Sequence, residues 1–205
     1  MYYLTHGGIL MYFILIMSIL GLTAIIERLI YFAANERKSR SSLPKEVKDF
    51  LDKGDIKSAI KFLNKERGST SKVLMNVLFE MLRYPNASAQ QLEEKAKEKS
   101  MIQIKTLEKR MWLISLTAHL TPLLGLLGTV TGMIKAFQAV AIHGTGDPSV
   151  LANGISEALF TTAGGLFVAI PALIFYNYLN KKIDGIVEDM EITATELINN
   201  YSYRG

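Results

Sequence analysis

Three stretches without a formal charge constrain this chain more than any other feature. Ile9–Ile26 (ILMYFILIMSILGLTAII) is 18 residues long, Met111–Ile134 is 24 and Ala158–Asn180 is 23. About 20 apolar residues cross the roughly 30 Å of hydrocarbon in a bilayer. There every backbone N–H and C=O must be bonded within the segment, so such stretches cross as helices. The expectation is an all-α membrane protein with three transmembrane helices. A cleaved signal peptide, the alternative for the first stretch, calls for a basic start and a small-residue cleavage site. The chain begins MYYLTHGG and the stretch ends at Glu27-Arg28, which favours a retained helix.

Charge gives the orientation. Residues 34–110 hold 18 of the 23 Lys and Arg against 11 Asp and Glu, a net of +7, whereas 1–8 and 141–153 carry no Lys or Arg. Basic segments stay in the cytoplasm. The expected division is 1–33 for the extracytoplasmic N-terminal end and first span, 34–110 for a cytoplasmic domain, and 111–140 for the second span. An extracytoplasmic loop over 141–153 then leads to the third span, 154–180, and a cytoplasmic tail, 181–205. The basic 34–110 segment could also bind anionic lipid at the cytoplasmic leaflet. A net charge of +4 spread along the chain makes nucleic acid a poor partner. With no cysteine, thiolate metal sites and Cys nucleophiles are excluded. No nucleophile–base or metal constellation is apparent either, so the chain reads as a non-enzyme without cofactor or metal.

The segment between the spans reads as helical. Val47, Phe50, Leu51, Ile56, Ile60 and Leu63 recur at helical spacing, with a turn near Gly54 and a break at Gly68-Ser69-Thr70. A second helix, Val73–Tyr84, ends at Pro85-Asn86. A third starts near Ser88, with Gln91 completing a weak capping box. No Pro or Gly interrupts the sequence from there to Pro122, so one long helix is expected to run from the cytoplasm into the second span. The third span likewise continues to about Asn199, with Gly185 its weak point.

The second and third spans differ from the first in being rich in small and hydroxylated residues. Thr117, Thr121, Gly125, Gly128 and Gly132 fall within about 80° on one helix face, with Thr129 beside them. Gly154, Ala158, Thr161, Gly165, Ala169 and Ala172 form a similar face on the third span, with Glu157 on one edge and Thr162 on the other. Close helix packing accounts for the Gly and Ala positions. It does not account for Glu157, about a turn inside the extracytoplasmic end. Spacing leaves two readings of that carboxylate: it snorkels at the interface, or it faces an interior or water-filled path. Lys135 reads as interfacial, and His119 as a packing histidine.

The stretch TPLLGLLGTVTGMIKAF (Thr121–Phe137), followed by ISEALFTTAGGLFVAIPALIFYNYL (Ile155–Leu179), resembles the two signature stretches of the MotA/TolQ/ExbB proton-channel family in order and spacing. Glu27-Arg28-Leu29 is similar to the ExbB/TolQ pattern, and three spans rather than four favour that side over flagellar stators. The resemblance implies a homopentamer in the bacterial inner membrane, with the second and third spans lining a pore that holds the helices of an ExbD/TolR-type dimer. It implies proton flow that drives mechanical work, with the titrating Asp coming from the partner. The work would be TonB-dependent outer-membrane transport or, alternatively, a TolQ-like role in Tol–Pal envelope maintenance through a TolA-like protein. A non-conducting membrane scaffold is the reading outside the motor class. Family pore threonines map onto Thr129 and Thr162, and the family's transmembrane Glu onto Glu157. Thr161 is added from the helical wheel, and Thr121, Gly125, Gly128, Gly132 and Gly165 are expected to pack the pore helices.

Overall fold

The computed structural model describes residues 8–36, 42–143 and 148–202. Every regular element among them is an α-helix: α1 Gly8–Asn35, α2 Lys45–Asp52, α3 Ile56–Lys65, α4 Ser69–Arg83, α5 Ala89–Leu107, α6 Met111–His143 and α7 Pro148–Ser202. Three of them, α1, α6 and α7, are long and apolar enough to cross a membrane. The chain forms two compact units: Met1–Arg28 with Arg110–Tyr178, and Leu29–Lys109 with Leu179–Gly205.

The first unit holds most of α1, all of α6 and the first part of α7. Most of its buried positions are small: Gly21 and Ala24 on α1, Thr117, Ala118, Thr121, Gly125, Gly128, Gly132 and Ala136 on α6, and Ala158, Thr161, Gly165, Ala169 and Ala172 on α7, with Met11, Ile14 and Ile25 on α1 and Met111 and Ile114 at the start of α6 as larger buried side chains. Many large side chains of the same helices, such as Phe13, Leu126, Phe137, Phe167 and Ile174, point outward and are exposed. This inverts a water-soluble helix bundle. In lipid the outside is already apolar, so small residues that bring backbones together provide the contact.

The second unit is built the usual way. Phe32, Leu63, Leu74, Leu78, Met81, Leu92, Ile186, Met190 and Leu197 are fully buried. Local signals mark its helix ends. Gly54 (φ 71°) makes the turn after α2, and the Asp55 carboxylate accepts the Ser58 N–H at the start of α3. At α5 both halves of the Ser88/Gln91 capping box form. Gly68 (φ 139°) precedes α4, whose first N–H is bonded from a distance: Glu36, 4% exposed, accepts both the Ser69 N–H and its hydroxyl. A second long-range tie joins α7 to the start of α2. There Glu196 accepts the Leu43 N–H at 2.7 Å and the Lys48 ammonium at 2.9 Å. These two bonds, the Leu43 N–H foremost, hold the Glu196 carboxyl below the usual range.

The structure corrects the expectation of one helix running from the cytoplasm into the second span. α5 does not continue into the second span; it stops at Leu107, and α6 starts afresh at Met111. The stop is Arg110, which has φ 64°, a left-handed backbone that a side chain with Cβ rarely adopts. Its guanidinium bonds the Glu27 carboxylate at 2.5 Å, and Arg28, itself buried, bonds the other carboxylate oxygen at 2.8 Å. The charge-assisted bond from Arg110 works against the backbone strain, and the one from Arg28 holds the Glu27 carboxylate in place for it. By contrast, α7 passes through Gly185 without a break. Residues 141–143 and 148–153, expected in a loop, are helical. Pro148 suits a first helical turn, where a missing N–H costs nothing. The rest of that loop, 144–147, lies outside the described residues, as do 1–7 and 203–205.

Candidate functional site

The site is built on the contact between α6 and α7. These helices run antiparallel, and glycines set how close they come. A Cβ on Gly125 would lie 2.9 Å from the Thr162 Cα, and one on Gly165 would lie 2.5 Å from the Thr121 carbonyl oxygen. Gly128 faces the Thr161 side chain, and Gly132 faces Ala158 and the Gly154 carbonyl. Backbone touches backbone over most of this seam.

The hydroxyls sort into two sets. Thr117, Thr121 and Thr161 are each 1% exposed or less. They donate to carbonyls one turn earlier in their own helices: Leu113, Thr117 and Glu157 respectively. Thr161 therefore lies inside the seam, packed on Gly128. Thr129 and Thr162 sit at the rim and are half-buried. Thr129 donates to the Leu126 carbonyl at 2.7 Å, and Thr162 donates across the seam to the Gly125 carbonyl at 2.8 Å. Each of these hydroxyls has committed its hydrogen yet keeps lone pairs with which to accept. The rim is thus a pair of fixed acceptors bordered by the exposed side chains of Leu126, Met133 and Leu166.

Glu157 lies on the opposite flank. At 100° per residue it stands about 140° from Thr162 around α7, with the Ala158–Thr161–Gly165 line between them. On α6, Lys135 and Thr129 are separated by about 120° in the same sense. α1 packs on the Glu157 side. A Cβ on Gly164 would meet the Met11 side chain, and one on Gly21 would meet Thr117. A Cβ on Gly8 would clash with a Glu157 carboxylate oxygen. Lys135 reaches the same oxygen at 3.5 Å. The structure therefore brings Thr129 and Thr162 to one flank, buries Thr161 between the flanks, and places Glu157 with Lys135 on the other. His119 is exposed and bonds the Ser115 carbonyl of its own helix.

Sequence reading missed the Arg110 partner of Glu27 and the Glu36 cap of α4, since both join residues more than 30 positions apart. Their only sequence signals were an acidic residue closing an apolar stretch and a Gly-Ser helix start. Among the described residues no His, Asp and Glu cluster has metal-binding geometry.

Comparison with known proteins fits this arrangement. The family model for the MotA/TolQ/ExbB proton channel family matches residues 66–192. The biopolymer transport protein ExbB of Neisseria meningitidis is 28% identical over 193 residues, covering 89% of this chain and 86% of that protein. The Tol-Pal system protein TolQ of Haemophilus influenzae is 40% identical over 87 residues, 42% of this chain and 38% of its own. The biopolymer transport protein exbB1 of Vibrio cholerae is 43% identical over 82 residues, 40% of this chain and 36% of its own. The signature seam, the three membrane-type helices and these matches together place the chain in the MotA/TolQ/ExbB proton channel family, among its ExbB/TolQ-type members.

Proposed function

We propose that this chain is the proton-channel subunit of an inner-membrane motor, in which an ExbD/TolR-type partner converts proton-motive force into mechanical work. The observation that carries this reading is the rim of α6 and α7, where Thr129 and Thr162 offer fixed acceptors beside exposed apolar side chains. Described residues of the three apolar stretches include no Asp or Glu, so a titrating carboxylate at mid-membrane has to come from another chain. A partner helix carrying an Asp, packed on Leu126, Met133 and Leu166, would set its carboxyl against the two hydroxyls. Protonated, that carboxyl donates to their free lone pairs. Ionised, it needs a donor, which a hydroxyl supplies by turning away from its carbonyl, or through water. A threonine thus solvates both states without adding a charge, which lowers the penalty for a buried carboxylate.

In this arrangement five copies surround a pore holding the partner dimer. The N-terminus and the α6–α7 connection lie on the periplasmic side, and the helical unit and C-terminus in the cytoplasm. Proton entry would be from the Glu157 end of the seam. The work done is the energising of TonB-dependent outer-membrane transport. The match to TolQ, at an identity comparable to that of exbB1, supports a second reading in which the motor serves Tol–Pal envelope maintenance.

Purification from native membranes tests the assembly: native mass spectrometry should find five copies with two copies of a single-span, Asp-bearing protein. A chain that purifies without such a partner would favour a non-conducting scaffold. Deleting the gene separates the two roles, since loss of siderophore-dependent growth marks the first and division-site envelope defects mark the second.

A further inference from the structure

The two charges at the Gly8 end of the membrane unit have a role that the threonine rim does not explain. Lys135 is the first charge after the apolar stretch of α6, and Glu157 is the last before that of α7. Their side chains meet at 3.5 Å, with the carboxylate one-third exposed. The same carboxylate oxygen lies within clash distance of where a Cβ would stand on Gly8, where φ is 65°. Only glycine meets both conditions there, since any side chain would be strained by the backbone and would displace the carboxylate. The carboxylate also stands against the first turn of α1, whose unbonded N–H groups favour a negative charge. Three helices thus converge on one carboxylate. Its position, about 140° around α7 from Thr162, keeps it off the flank that carries the threonine rim.

We propose that Lys135 is a positioning residue for Glu157: its ammonium, with the space left by Gly8, holds the carboxylate on the α1 flank. This rests on the reading of Glu157 as a functional carboxylate in proton entry. Lys135 does not itself lie on the path. It fixes where the carboxylate waits, and at the edge of the apolar layer the pair is less screened than in bulk water. A cation is what the geometry requires, so arginine should serve and an isosteric apolar residue should not.

The test uses the full chain with its partner in proteoliposomes, reading proton flux with a pH-sensitive dye and assembly by native mass spectrometry. Lys135→Met should lower flux roughly fivefold, the factor that about 1 kcal/mol represents, with assembly unchanged, and Lys135→Arg should retain it. Gly8→Ala should lower flux without altering any charge. Full flux in Lys135→Met alongside lost flux in Glu157→Gln overturns the positioning role and leaves the function of Glu157 standing. Equal impairment in Lys135→Arg and Lys135→Met also overturns it, because a cation then fails to rescue. Full flux in Glu157→Gln removes the parent reading and this inference with it. If Lys135→Met does not assemble, Lys135→Gln is read by the same criteria.

Discussion

The two compact units of this chain are held together by opposite means. The helical unit buries large side chains, such as Leu78 and Met190, and ties its helix ends with Glu36 and Glu196. The membrane unit buries mostly glycine, alanine and threonine along α6 and α7, and turns most of the large side chains of these helices outward. Water makes the first arrangement favourable, since burying each Leu-sized side chain contributes about 1.5–3 kcal/mol. Lipid removes that driving force and leaves close backbone approach, hydrogen bonds and shape. α7 takes part in both regimes. Gly165 has backbone against it on the seam, whereas nothing lies within 4 Å of a Cβ on Gly185.

This contrast can be broken by substitution, with hydrogen exchange on the detergent-solubilised full chain as a local readout. The largest effect is expected from Leu78→Ala, which empties a fully buried site. It should cost about 2–5 kcal/mol and raise exchange in α4 and α5 while leaving the membrane unit unchanged. Exchange spreading through α6 would mean the units do not respond separately. Gly165→Val should come next. Its Cβ meets the Thr121 carbonyl oxygen, a backbone atom, so overpacking costs about 1–3 kcal/mol or more and should be felt in α6 and α7. A Gly165→Val chain of wild-type thermal stability would sink the close-approach account of the seam.

Two smaller effects sharpen the comparison within the helical unit. Glu196 has a depressed carboxyl pKa in the folded chain, so its contribution to stability is complete above the unfolded value, near 4.5. That contribution disappears as pH falls through the lower folded value. Thermal unfolding in acid should thus lose a component that Glu196→Gln abolishes, whereas near neutral pH the variant itself should be the less stable one. A pH profile unchanged by Glu196→Gln would count against the tie to Leu43 and Lys48. The smallest effect is Gly185→Ala. It should stabilise α7 by up to about 1 kcal/mol, because the site is exposed and open. Destabilisation there would reveal a contact that the single chain lacks.

Much of this was legible in the sequence because its causes are local. Charge-free length marks the three membrane-type helices, and a 3.6-residue period places Gly125, Gly128, Gly132 and Gly165 on facing stripes. Gly54, Gly68 and Ser88 punctuate the helical unit where their backbone chemistry requires. What the sequence hid depends on distant partners. The stop before α6 is a left-handed Arg110 stabilised by Glu27, 83 residues away, and no residue between Ser88 and Pro122 signals it. Gly185 is the converse: a local weak point overridden because its neighbours Ile183 and Ile186 are buried. At the candidate site the wheel placed Thr129 beside the α6 stripe and set Glu157 and Thr162 on opposite edges of the α7 stripe. It did not give which of those edges α1 packs on, because helix periodicity carries no information about a third helix.

The central claim is that the Thr162 hydroxyl on the rim of α6 and α7 serves proton flow rather than packing alone. Proton flux through the partner-bound complex in proteoliposomes tests it, comparing Thr162→Ser with Thr162→Val at equal assembly. Valine matches the shape of threonine without the hydroxyl, and serine keeps the hydroxyl without the methyl. Flux retained by Thr162→Ser and lost by about tenfold or more in Thr162→Val is the expected result, the factor that a hydrogen bond of about 1.4 kcal/mol represents. Undiminished flux in Thr162→Val would contradict it and leave Thr162 as a packing residue.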